Sequence, residues 1–135
     1  MIEEAIITQA ANTGGLTTLI GSGASMRFHP QILPQNPVYP AVTYSCISAP
    51  RETLMGSDPG LVEARYQFSA WDLTYKGARD LAEQLRLAFE RWRGTVGSVV
   101  VMDTFVEDIT DMPPELVNDL IVRQRACDFK IHYRE

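Results

Sequence analysis

Val62, Ala64, Tyr66, Phe68 and Ala70 alternate with Glu63, Arg65, Gln67 and Ser69. This is the cleanest period-two pattern in the chain. It predicts a strand over residues 61–70 with one face on a core and the other toward water or a partner. The period then changes: Ala78, Leu81, Ala82, Leu85, Ala88, Phe89 and Trp92 recur at threes and fours, the apolar stripe of an amphipathic helix. Arg79, Glu83, Arg86, Glu90 and Arg93 take its wet side. Asp72 or Thr74 can cap it by accepting hydrogen bonds from its first free amides.

Other segments follow the same grammar. Residues 2–12 read as a short helix with Ala5, Ile6 and Ala10 at helical spacing, ended by Gly14-Gly15, and a second short turn runs over residues 16–20. Four prolines between residues 27 and 40 forbid a helix and imply an extended connection. AVTYSCIS (residues 41–48) predicts a strand with Val42, Tyr44 and Cys46 on the buried face. Residues 50–60 are polar and rich in turn formers, a mobile connection. After Gly94 and Gly97 a strand apolar on both faces begins at Val99 and runs on through residues 104–108.

In the last segment, residues 121–133, Cys127, Phe129, Ile131 and Tyr133 share one face. Arg123 and Arg125 stand on the same register, so that end either carries a bulge or leaves the core. Thirteen extended residues span roughly 43 Å, against a diameter of about 37 Å for a compact chain of this size, so an end should overhang. The order of elements gives an α+β fold: a mixed, mostly antiparallel sheet with a short N-terminal helix and one long helix packed on one face. Residues 61–70, the helix and residues 98–106 could form a right-handed crossover, making that strand pair parallel. The 135 residues are expected to form a single domain.

Composition narrows the function. Hydrophobic residues make up 45% and charged residues 21%, and no stretch is apolar for long enough to cross a bilayer, so no membrane partner is expected. A formal charge of -5 argues against a broad grip on a phosphate backbone, although an acidic protein can still surround DNA without holding it. Cys46 and Cys127 read as reduced, packed residues, and the acidic start MIEEA lacks a secretory pattern, which points to synthesis in a reducing cytoplasm.

Chemistry is hard to find. Trp71-Asp72-Leu73-Thr74 offers no glycines to bring backbone amides against a pyrophosphate, and GSGAS (residues 21–25) lacks the lysine of a P-loop. His29 and His132 are remote in sequence from each other and from the cysteines, without zinc-type spacing or a nucleophile motif. No catalytic residue, cofactor or metal is assigned. Asp103, Glu107, Asp108, Asp111, Glu115 and Asp119 form an acidic run without the spacing of a calcium loop. It reads as a solvated connection, with Pro113-Pro114 starting a turn of helix, or as carboxylates facing a channel or a neighbour's Arg123 and Arg125.

PVYPAVTYSCIS (37–48), ARYQFSAW (64–71), TYKGARDLAEQLRLAFE (74–90) and DFKIHY (128–133), with MRFHP (26–30) as a short strand ending in proline, occur in an order that resembles the tail-completion, or tail-terminator, proteins of long-tailed bacteriophages and prophages. The resemblance implies a non-enzymatic subunit of the virion neck, assembled in the host cytoplasm. It implies a ring, expected to be a hexamer, on the head-proximal end of the tail tube, which stops tube polymerisation and offers a docking face to head-tail connector proteins. DNA would pass its lumen without specific binding. No family motif matches the acidic residues 107–119.

A ring built from heterologous contacts needs two complementary patches per subunit. The candidates are Val99, Val101, Asp103 and Phe105 on one strand, and Ile121, Arg123 and Arg125 at the overhanging end of another, with Glu107, Asp108 and Asp111 toward a lumen or partner. Two other readings stand beside this one. One is a different neck or tail-tube protein. The other is a small enzyme or ligand-binding module with a pocket walled by Tyr39, Tyr44 and Trp71.

Overall fold

A computed structural model describes residues 2–51 and 60–135, so most of the connection predicted over residues 50–60 lies outside the described residues. The elements in chain order are α1 (Ile2–Ala11), α2 (Gly14–Ile20), β1 (Phe28–Pro30), β2 (Ala41–Ser48), β3 (Leu61–Asp72), α3 (Tyr75–Phe89), β4 (Gly94–Val96), β5 (Val99–Val117) and β6 (Leu120–Arg134). The strands form a six-stranded sheet of order β1-β2-β3-β6-β5-β4. Its pairs are antiparallel except β1 with β2. The fold is α+β, with a mixed, mostly antiparallel sheet.

The expected alternation in β3 is met: Val62, Ala64, Tyr66, Phe68 and Ala70 are all buried. Cys127, Phe129, Ile131 and Tyr133 of β6 are buried beside them, because β3 and β6 pair in unbroken register from Leu61↔Arg134 to Asp72↔Arg123. Onto this face α3 lays Ala78, Leu81, Ala82, Leu85, Ala88 and Phe89. Phe68 is the hub, with ring centroids 4.8 Å from Phe89 and 5.3 Å from Phe129. Each such side chain withdrawn from water contributes about 1.5–3 kcal/mol. Ile2, Ala5, Ile6 and Ala10 of α1 and Leu16 and Ile20 of α2 complete the same cluster.

Thr74 is the cap of α3, its Oγ1 accepting from Gly77 N at 3.0 Å, while Asp72 Oδ1 accepts from Leu73 N at 2.7 Å. The helix stops at Phe89, earlier than the apolar stripe suggests. Arg91 takes a left-handed backbone (φ 60°) that folds Trp92 back onto the core, edge-on to Phe89 at 5.5 Å. Gly14 opens α2, the reverse of the ending role expected for it.

Three expectations change more substantially. The β3-α3-β5 crossover exists, but β6 is inserted between β3 and β5, so those parallel strands are not partners. In β2 the expected buried face holds at Val42 and Tyr44, whereas Cys46 is exposed and Thr43 is buried. The far face of the sheet is not uniformly wet either: Thr43, Ser69, Trp71, Val122 and Ala126 are buried there, with Trp71 Nε1 donating to Thr43 Oγ1 at 2.9 Å and Gln124 Nε2 to Ser69 Oγ at 2.8 Å. Tyr44 and Trp71 thus lie on opposite sides of the sheet and cannot wall one pocket.

Most consequential is the acidic run. Residues 107–117 form neither a solvated connection nor a helical turn; they continue β5, a strand of 19 residues paired with β6 to its end. A two-residue turn closes the hairpin, Asn118 and Asp119 both at positive φ (50° and 64°), the backbone of a type I′ turn. Pro113 and Pro114 fall in an irregularity between Met112 and Glu115, where a strand tolerates residues that cannot donate to the ladder.

Candidate assembly surface

β5 has register shifts between Val101 and Asp103, Val106 and Asp108, and Met112 and Glu115. Each inserts residues on β5 alone and so flips which side chains face the helices. Val99 and Val101 are enclosed in the core, 1% and 2% exposed. After the first shift Asp103 lies opposite His132, and Phe105 meets the His132 ring edge-on at 5.5 Å, on the face away from the helices. The four residues grouped as one patch from sequence therefore divide between the core and the far face.

Asp103 is held within its own subunit. Arg91 grips it through Nε to Oδ1 (2.9 Å) and Nη2 to Oδ2 (2.7 Å), and Arg93 Nη2 adds a bond at 3.2 Å. Burial alone pushes its carboxyl up, but Arg93, the Thr104 N–H and Arg91 together outweigh that and hold it below the usual carboxylate range.

The acids assigned to a lumen or partner also divide. Glu107 lies 3.7 Å from Lys130 Nζ, and Asp108 stands opposite Asp128, both on the far face. There Lys130 also meets Glu63 at 2.6 Å and Arg65 meets Asp128 at 3.0 Å, a ladder of charges across β3, β6 and β5. Asp111 is on the helix side, where it accepts from Tyr75 Oη at 3.0 Å and lies 3.5 Å from Arg125 Nε. Arg125 thus finds its acid within the same chain. Arg123 donates to the Leu73 carbonyl at 3.1 Å and has no carboxylate within ion-pair distance among the described residues.

Beyond Asp72↔Arg123 the sheet has lost β3, and residues 115–122 continue as a two-stranded arm. Leu116, Leu120 and Ile121 on it are 71%, 49% and 57% exposed. The predicted overhang is real and Ile121 is on it, whereas Arg123 and Arg125, expected there too, stay paired with β3. Its most exposed apolar side chain, Leu116, falls in the stretch that reads from sequence as a solvated connection. Its pairing with Ile121 across the hairpin becomes visible only once the turn at Asn118-Asp119 is recognised. On the other side of β5, β4 covers Val99–Val101, and no described strand pairs with the rest of that edge.

A sheet backed by helices, with a protruding apolar arm and an open strand edge, defines a subunit shaped for assembly with other chains. Residues 4–120 match the family described as Tail completion protein gp17, and the chain belongs to that family of phage tail structural proteins. Among solved structures, a chain from "Virion of native gene transfer agent (GTA) particle" shares the fold with a TM-score of 0.63 at 13% identity, the match covering 96% of this chain and 92% of that one. No curated protein matches the sequence. No helix among the described residues is long and apolar enough to cross a membrane.

Proposed function

We propose that this protein closes into a ring, of six copies by family resemblance, on the head-proximal end of a tail tube, ends tube growth, and presents the surface to which head-tail connector proteins dock. The arm carries this reading. Three large aliphatic side chains held in water on a two-stranded projection are a poor arrangement for a solitary subunit, because a lone hairpin is marginal in water and exposed apolar edges invite pairing. Contacts with other copies or with tube subunits would bury them.

The charged far face suits a lumen wall. Around Arg65 and Lys130 the acids Glu63, Glu107, Asp108 and Asp128 are in excess, while Asp103 beside them is matched by Arg91 and Arg93, so the acidic part is the middle of that face. Turned to a lumen, it would repel DNA phosphates and let the duplex slide. Electron microscopy of the purified protein, together with its addition to tails that lack a terminator, tests the proposal. Closed single-layer rings and tails made competent to join filled heads are expected. Open-ended tubes would reassign it as a tube protein, and strict monomers that leave tails incompetent would overturn the proposal.

A further inference from the structure

Between the first turns of α3 and the base of the arm lies a cleft of about 220 Å³, bounded by Tyr75, Ala78, Arg79, Met112, Arg123 and Arg125. Arg79 and Arg125 also line an adjoining hollow of about 320 Å³ that reaches Ala82 and Ile109. Three arginines face one carboxylate in the first cleft, Asp111, in a chain whose overall charge is -5. The cleft is locally basic, while the adjoining hollow adds Asp80 and Glu83 to its apolar lining, with Asp80 3.6 Å from Arg79.

The tip of the arm has the opposite character. Residues 115–122 contain Glu115 and Asp119, no cation, and the exposed Leu116, Leu120 and Ile121. The tip of each arm is kept from its own cleft: Asp119, in the turn, is six residues from Arg125 along an extended chain, about 20 Å. Pro113 and Pro114 have no N–H to offer a neighbouring strand, so at that part of β5 contact through side chains is favoured over extension of the ladder.

Resting on the ring reading above, we infer that the arm tip of one copy seats in the arginine-lined cleft beside α3 of the next, its aliphatic side chains against Ala78, Met112 and Ile109 and its Glu115 and Asp119 toward Arg79 and Arg123. Such a contact is head-to-tail, so repetition around an axis closes a ring with every tip and every cleft filled. Arg123, which has no carboxylate within ion-pair distance among the described residues of its own chain, gains one from the neighbour.

The test is a cross-link in the full chain. In a Cys46→Ser background, Asp119→Cys with Arg79→Cys is treated with a short bis-maleimide, with each single variant as control, alongside native mass measurement. A ladder of covalent oligomers confined to the double variant is expected. As a second measurement, Arg79→Glu with Arg123→Glu should weaken self-association at least about tenfold, and adding Glu115→Arg with Asp119→Arg should restore it. Closed rings without the cross-link, or cross-linking in the Asp119→Cys single variant alone, would overturn the inference and leave the ring standing. A ladder formed only with tube protein would assign the cleft to that partner instead. Monomers under every condition would remove both.

Discussion

Arg91 clamps Asp103 with two parallel hydrogen bonds, 2.9 and 2.7 Å, from a backbone in the left-handed region. A non-glycine residue there costs roughly 1–2 kcal/mol. The same residue donates its N–H to the Thr104 carbonyl at 2.7 Å, so the turn after α3 is pinned to β5 by both its main chain and its side chain. Since the folded state holds the Asp103 carboxyl below its ordinary value, the clamp contributes stability that is complete above the unfolded pKa of about 4 and is lost as pH falls through the folded pKa. Asp103→Asn should lower Tm near pH 7, with the gap from the parent narrowing as the pH drops through that window. A gap independent of pH would show that the charge is irrelevant.

The core prediction concerns Leu85, which is fully enclosed between α3 and the sheet. Leu85→Ala should cost about 2–5 kcal/mol, and Leu85→Asp should prevent folding, since it sets an unpaired charge in an apolar site. Chemical denaturation monitored by tryptophan fluorescence measures the first. A soluble Leu85→Asp protein with normal melting would mean that α3 packs another face.

The two cysteines should differ in reactivity. Cys127 is enclosed, and burial pushes its thiol up to about 12, whereas Cys46 is exposed on β2. A thiol reagent at pH 8 should titrate one thiol per chain quickly in the folded subunit and the second only after unfolding. Fast reaction of both would place Cys127 near the surface.

How far the sequence could be read follows from which strands keep strict alternation. β3 and β6 pair in continuous register, so one period runs through each and their buried faces are legible residue by residue. β5 is different. Its three register shifts put Val101, then Thr104, then Ile109, then Leu116 on the helix side, a parity that changes three times and looks aperiodic. With five acids and a Pro-Pro pair added, half of a long strand resembles a loop, although Asn118-Asp119 between two aliphatic pairs is a hairpin signal in plain view. Topology was also out of reach: no local pattern announces that the last strand inserts between β3 and β5. Candidate residues on β6 were easier, because Arg123 and Arg125 visibly interrupt an apolar register.

The α3 cap offers a local test. Thr74 Oγ1 accepts from Gly77 N, and a Cβ at Gly77 would stand 2.9 Å from that same oxygen and 2.6 Å from Asp72 Cγ. Thr74→Ala should cost about 1 kcal/mol, and Gly77→Ala should destabilise as well, despite alanine's better helix propensity, because it displaces the cap. An increase in Tm for Gly77→Ala would show that Asp72 and Thr74 move aside freely.

The arm separates folding from assembly. Leu116 and Ile121 pair across the hairpin on its helix-side face and are mostly exposed, so neither contributes much burial to the isolated subunit. Leu116→Ser with Ile121→Ser should therefore change folding stability by less than about 1 kcal/mol. In an assembly the same side chains would leave water, each contributing about 1.5–3 kcal/mol at every contact, and a closed ring repeats the contact once per subunit. The double variant should melt like the parent under conditions where both are monomeric, yet fail to form rings and fail to render terminator-deficient tails competent for head joining. Analytical ultracentrifugation and the joining assay read the two properties independently. Normal rings from the double variant would move the interface off the arm, whereas a large loss of Tm in the monomer would mean that the arm is part of the subunit's own core.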